Sequence, residues 1–335
     1  MDVSSTFDED DLTYGEDVTS DYAEGSQASE FTSINSTKFK HSWENGRRYQ
    51  GYLQDRYGLP NDDAEQLREG LKHKLYTDYL LPENGLVIAP VGDHPQKIVD
   101  LGTGAGFWAQ DVAEKYPSAR VIGTDLSPIQ PLWSPPNAEF RVEDLEDETR
   151  DWTGLYENAD LFHIRALLQT LRDPNRLLEK AFRNLRPGGW IQIHEVIPRV
   201  VYEQSSASAV AAEAHPLNVL YERVGGPFAD KYGWTLHITN DIPRLLQDVG
   251  FINVESRVIS TPLGVWQSEP RQREIGSFVA AVYEDWVAAI LAKYELLGFT
   301  PDEANKLGQD IVDSFVAPGG MIQWMDCWAQ KPPTS

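Results

Sequence analysis

The chain is short of cysteine, of positive charge and of long apolar runs, and each shortage closes off a class of protein. Cys327 is the one cysteine in 335 residues. That excludes an internal disulfide framework and a cysteine-rich zinc site, and it suits a reducing compartment. Lysine and arginine number 29 against 52 aspartates and glutamates, a formal net charge of −23. A protein this acidic repels polyanions, so direct binding to nucleic acid or to an anionic membrane surface is not expected. No run of about 18 apolar residues occurs, so no transmembrane helix is expected. Residues 1–30 lack a basic start and an apolar core, so no signal peptide is expected. Metal-ligand spacings are also missing, and no metal site is predicted. A cytoplasmic or nuclear location, or both, follows as the expectation.

The acid is unevenly spread. Residues 1–37 hold ten acidic residues and no lysine or arginine. With so few aliphatics they cannot offset their ordering entropy, and a disordered acidic tail is expected. Phe7, Tyr14 and Tyr22 would be the anchors if the tail binds a partner. Composition changes at Lys38. Residues 38–96 are expected to form a helical N-terminal lid. Within it, His41 to Tyr49 is basic and aromatic, and 61–81 carries Leu67, Leu71, Leu75 and Tyr79 at helical spacing.

The organising stretch runs from Lys97 to Trp108. An apolar strand, Lys97-Ile98-Val99-Asp100-Leu101, meets a loop with glycines at 102, 104 and 106 and then a helix. Strand, glycine loop and helix N-terminus are where α/β sheets bind nucleotides. The dinucleotide fingerprint G-x-G-x-x-G does not fit, because the third glycine comes one residue early and Phe107 fills its place. The pattern is D-x-G-x-G-x-G, which resembles motif I of class I methyltransferases, binders of S-adenosylmethionine (SAM). Asp125 ends the next strand, 19 positions after Gly106, where a carboxylate can accept both ribose hydroxyls.

From here strands and helices alternate, the mark of a parallel sheet covered on both faces. Strands are expected at 97–101, 120–124, 138–142, 160–164, 190–195 and 251–260, with a closing strand at 321–328. Prolines at 128, 131, 135 and 136 make a stiff wall after Asp125. Residues 205–235 break the rhythm and are expected to cover the substrate. Residues 265–317 read as a helical insertion. The methyltransferase domain is bounded at 97–330.

Several segments together are similar to the fungal LaeA-like methyltransferase family: Glu44-Asn45-Gly46-Arg47-Arg48-Tyr49, Asp100 to Ala109, Asp125-Leu126-Ser127-Pro128-Ile129-Gln130-Pro131, Pro135-Pro136-Asn137, His163-Ile164-Arg165 and Leu185 to Trp190. The resemblance spans about 38–330. It implies a class I, Rossmann-like fold with a seven-stranded sheet whose last strand runs antiparallel. It implies SAM as cofactor, converted to S-adenosylhomocysteine (SAH), and a frequent role in secondary metabolism and development. Ala105, Phe107 and Gln192 depart from the usual Thr, Ile and Glu of the family pattern.

The expected cofactor contacts are Asp100, Gly102, Thr103, Gly104 and Gly106 in the loop, with Asp125 and Leu126 after the second strand. Asp144 and the Leu145 backbone are expected at adenine, with Glu143 and Glu146 as competitors. Arg47 and Tyr49 are expected to reach the cofactor's carboxylate, and His163 to stand beside the transferring methyl group. The candidate bases are His163, His194 and Glu195, followed by His215 and His237. Methyl transfer is an in-line displacement that needs a base only when the acceptor carries a proton. Two functions are weighed: a SAM-dependent methyltransferase acting on a small molecule or a protein, and a SAM-binding regulatory subunit with little turnover. The resemblance implies a velvet-type protein or a related methyltransferase as partner for the second.

Overall fold

The computed structural model describes residues 41–81, 86–150, 152–202 and 214–334. The acidic segment 1–37 and residues 205–213 of the expected cover lie outside them. Among the described residues no helix is long and apolar enough to cross a membrane.

The chain enters through a hairpin, β1 (His41–Glu44) and β2 (Arg47–Gln50). Asn45 and Gly46 both have positive φ, +49° and +76°. That is the two-residue turn whose twist matches a hairpin, and Asn-Gly is its strongest sequence signal. This part of the expected helical lid is therefore strand. Helix α1 (Asp63–Leu75) follows, its first turn capped by Asp62, which accepts from Glu65 N at 3.1 Å. Residues 76–80 continue it as a single π turn.

Seven strands make the main sheet: β3 (Lys97–Leu101), β4 (Arg120–Asp125), β5 (Ala138–Val142), β6 (Ala159–Arg165), β7 (Leu185–Tyr202), β8 (Ile252–Pro262) and β9 (Gly320–Gln330). Their order is β5-β4-β3-β6-β7-β9-β8, with β9 inserted antiparallel between β7 and β8. Helix α2 (Phe107–Lys115) covers one face through Trp108 and Val112, against Ile98, Leu161 and Trp190. Helices α3 (Pro174–Asn184) and α5 (Ile242–Val249) cover the other, against Val99, Phe162, Ile164 and Ile191. Burial on both faces is why these strands read as nearly continuous apolar runs.

β7 is 18 residues long and β9 is 11. Both overshoot the carboxyl edge of the parallel strands. On this extension sits a cap of α1, α4 (Pro216–Tyr232), α6 (Pro270–Leu291) and α7 (Pro301–Ser314). Its core joins Leu75, Phe228, Val279 and Ile311 to Val200 of β7 and Trp324 of β9. The strand order reverses at β3, which leads out to β4 on one side and has β6 on the other. A crevice outside the carboxyl ends of β3 and β6 is the place where such sheets bind ligands.

Candidate active site

A cavity with about 1460 Å³ of empty space, partly open to solvent, fills that crevice below the cap. Its sheet-side wall is the glycine loop. Gly102, Gly104 and Gly106 have φ of +73°, +56° and +83°, a region that side chains rarely adopt. The loop is pinned from several directions. Thr103 Oγ1 donates to Asp100 Oδ2 at 2.6 Å, and Gly104 N donates to Asp125 Oδ2 at 2.9 Å. Gln130 Nε2, from the proline wall, reaches Gly104 O at 2.6 Å. A Cβ on Gly104 would stand 2.4 Å from Glu69 Oε2 of α1, and Ala105 N donates to that same oxygen at 2.8 Å. Glu69 can thus close onto the loop because this position has no side chain.

Of the residues expected at the cofactor, Gly102, Thr103, Gly104, Asp125, Leu126 and Leu145 line the cavity. Asp100 lies under the loop, 2 % exposed, and holds Thr103 from behind. Burial pushes its carboxyl up to about 7, against the pull of the Thr103 hydroxyl. Gly106 forms the N-cap of α2 rather than the wall. Asp125 is held up at about 6, first by burial, while the Ser127 and Gly104 backbone N–H groups favour its charged form.

Four placements correct the sequence reading. Asp144 turns away to Arg56, 3.2 Å distant, and accepts from Glu146 N. Glu143, its sequence neighbour, faces the cavity instead and accepts from the Tyr156 hydroxyl. Arg47 and Tyr49 lie outside the cavity wall. Arg47 makes a two-pronged pair with Asp62, 2.6 and 2.9 Å, and the Tyr49 ring is buried under the Lys293 ammonium at 3.6 Å.

His163 pairs in register with Asp100 on one side and Gln192 on the other. It is covered by Trp108, ring centroids 3.6 Å apart at 9°, and its Nδ1 faces Gln192 Nε2 at 2.9 Å. Burial holds its pKa well below the ordinary value, so it is neutral. Gln192, the departure from the family pattern, also accepts from Ile88 N. His194 pairs with the fully buried Asp326 at 2.6 Å, edge-on to Tyr76. Both histidines therefore sit one layer behind the cavity. His215 caps α4, and His237 is exposed.

Arg165, two residues beyond His163 and so on the same face, clears the α2 cover and reaches the cavity. Its Nη1 lies 3.1 Å from His73 Nδ1. Glu195 lines the cavity too, but three donors occupy its carboxylate: Leu167 N, Leu168 N and Gln169 Nε2. Burial raises it to about 7.

The functional side of the cap went unseen in the sequence. From α1 come Arg68, Glu69 and Lys72, and from α4, α6 and β9 come Tyr221, Tyr283, Trp286 and Trp324. Arg68 is neutralised by buried Glu65. Lys72 is lowered to about 8 by burial and then by nearby Arg68. The spacing Arg68, Glu69, Lys72 on one helix face was available as a signal, masked by the leucines that mark the helix.

A methyltransferase domain model matches residues 71–256, more than half of the chain. Over 287 residues the chain is 33 % identical to the methyltransferase pytC of Aspergillus terreus, covering 84 % of both chains. It belongs to the LaeA-like methyltransferase family. It is 33 % identical over 245 residues to the protein-methionine methyltransferase laeA of Emericella nidulans, covering 72 % of this chain and 63 % of that one. A phosphoethanolamine N-methyltransferase 2 of Haemonchus contortus is a distant likeness, with 16 % identity, a TM-score of 0.45 and coverage of 85 % and 62 %. The domain model, the relatives named as methyltransferases and the sheet order make the chain a SAM-dependent methyltransferase with a class I fold. Its glycine cradle and the carboxylate at the end of β4 fit that cofactor.

Proposed function

We propose that the acceptor is a small, flat, largely apolar molecule held inside the cavity. One observation carries this: the wall opposite the glycine loop is aromatic, built from Tyr221, Tyr283, Trp286 and Trp324 under α4 and α6. Aromatic walls with a few polar groups suit small-molecule ligands. The bound cofactor supplies a methyl group already activated by a sulfonium. Asp125 accepts the ribose hydroxyls, and Glu143 with the Leu145 backbone meets the adenine edge. The cap excludes water and aligns the acceptor, which supplies much of the rate.

When the acceptor carries a proton, Lys72 is the residue that takes it. It lines the cavity, and with a pKa of about 8 it is partly neutral at mildly alkaline pH. Turnover should rise as pH climbs through about 8, and Lys72→Met should lower kcat by about 100-fold with SAH affinity kept. A pH-independent kcat would overturn the role of Lys72.

Labelled SAM with a fungal extract tests the acceptor class. Label entering the small-molecule fraction supports the proposal, and label confined to protein overturns it. A role in controlling secondary metabolism rests on the likeness to proteins named as the secondary metabolism regulator laeA. A strain deprived of the chain and given a variant that cannot bind SAM separates turnover from scaffolding. Full recovery of the metabolite profile would mean that methyl transfer is not needed for that role.

A further inference from the structure

Two side chains of opposite charge, Glu69 and Arg165, line the cavity without a contact ion pair, and the charges that act on them, each other included, do so only at longer range. Glu69 accepts from Ala105 N at 2.8 Å, yet among the described residues no Lys, Arg or His nitrogen lies within 4 Å of its carboxylate. Arg165 touches His73 Nδ1 at 3.1 Å and lies over the Tyr76 ring at 5.5 Å. Among the described residues no carboxylate lies within 4 Å of its guanidinium. His73 is not a counter-ion, since an imidazole carries no negative charge; its Nδ1 accepts from Arg165 and its Nε2 faces Asp111. Nearby, Arg68 is paired with Glu65 and the buried Asp326 with Arg257. Half-buried charges with no contact partner are available to a ligand of complementary charge.

A ligand with one cation and one anion would complete both. Resting on the assignment of SAM as cofactor, we propose that Glu69 and Arg165 form a clamp for the amino-acid end of that cofactor. Glu69 receives the ammonium and Arg165 the carboxylate. Glu69 already lies over the loop, its Oε2 2.4 Å from where a Gly104 Cβ would stand, so the ammonium can be shared between its carboxylate and the loop. Arg165 rises at the end of β6, the strand next to β3. One jaw is on the cap and the other on the sheet. Binding of the zwitterion therefore bridges cap and sheet, while the hairpin residues Arg47 and Tyr49 stay out of contact.

Calorimetry with three ligands tests the clamp without turnover. SAH carries both charged groups, its decarboxylated form carries the amine alone, and 5′-methylthioadenosine carries neither. Glu69→Gln should weaken SAH and the decarboxylated form by about tenfold each, as expected for loss of one charge-assisted bond. Arg165→Met should weaken SAH by about tenfold and leave the decarboxylated form unchanged. 5′-Methylthioadenosine should bind both variants as it binds the parent chain, which also shows that the variants are folded. SAH binding that is unchanged or tighter in Glu69→Gln would overturn the clamp, as would an equal loss for all three ligands. A parent chain that binds neither SAH nor 5′-methylthioadenosine would instead overturn the SAM assignment itself.

Discussion

On the sheet side of the cavity, Gly102, Thr103, Gly104, Asp125 and Leu126 come from one short part of the chain. On the cap side, Glu69, Tyr76, Tyr221, Tyr283 and Trp324 are drawn from nearly its whole length. The sheet-side wall is mostly backbone, shaped by positive φ and held by near neighbours, with Thr103 on Asp100 and Gly104 on Asp125. The cap-side wall is mostly side chain, and its members are brought together from α1, α4, α6 and β9. A wall of the first kind fixes a common ligand by local geometry. One of the second kind can change its acceptor by substitutions that leave the fold alone.

The largest expected effect strikes the cap. Phe228 is fully buried, with its ring 4.7 Å from Trp234 and 5.3 Å from Tyr232. Phe228→Ala should cost about 3–5 kcal/mol in denaturant unfolding, the usual loss for a core aromatic. If the two walls are independent, SAH affinity at low temperature should change by less than about threefold. A collapse of SAH binding in a variant that remains folded would mean that the cap also shapes the cofactor half.

Next is Gly104→Val. A β-branched residue at φ +56° is strained, and its Cβ would displace Glu69. SAH affinity should fall by about 100-fold, near 2.7 kcal/mol, while the unfolding midpoint moves far less than in Phe228→Ala. The reverse pattern would erase the distinction between a backbone-built wall and a side-chain-built one.

The sheet half was legible because its signals are local. D-x-G-x-G-x-G, Asp125 at the next strand end and the alternation of strands and helices each report their own few residues, and all of them recur in the parallel core. The cap was not legible for the converse reason. Glu69 and Lys72 read as solvent-facing charges on an amphipathic helix until α6 and β9 pack over them. His163 misled because strand alternation correctly gives its face but not its cover. Trp108, stacked on it, cannot be assigned as a partner from spacing. Asn45-Gly46 signals the hairpin, while the basic and aromatic residues around that turn equally suit ligand binding.

A smaller effect comes from protons and belongs to the sheet side. Asp125 sits at about 6 in the ligand-free chain, and ionised it can accept from both ribose hydroxyls at once. SAH affinity should therefore be flat above about pH 7 and fall by up to tenfold per pH unit below 6, with proton release visible as a buffer-dependent binding heat. The sign for folding is opposite. Asp100 and Glu195 near 7 and Asp125 near 6 are all raised above their unfolded values of about 4. Their contribution to stability is full below pH 4 and is lost as pH climbs through 6 to 7. The ligand-free Tm should thus decline between about pH 4 and 7 and level off above it, and SAH should restore part of it. A ligand-free Tm that rises over that range would mean these carboxyls are ionised in the folded chain.

The smallest effect separates Arg47 from the cofactor. Its guanidinium grips Asp62, which also caps α1, and both side chains are less than one-fifth exposed. Arg47→Ala should cost about 0.5–1 kcal/mol, the range for a partly exposed ion pair. Asp62→Ala removes the pair and the cap together and should cost about 1–2 kcal/mol. Neither should move SAH affinity by more than about twofold, because neither side chain lines the cavity. If Arg47→Ala instead weakened SAH by tenfold with stability intact, the hairpin would have to fold over the cofactor on binding. The N-terminal strands would then belong to the ligand-built wall rather than to the frame that carries α1.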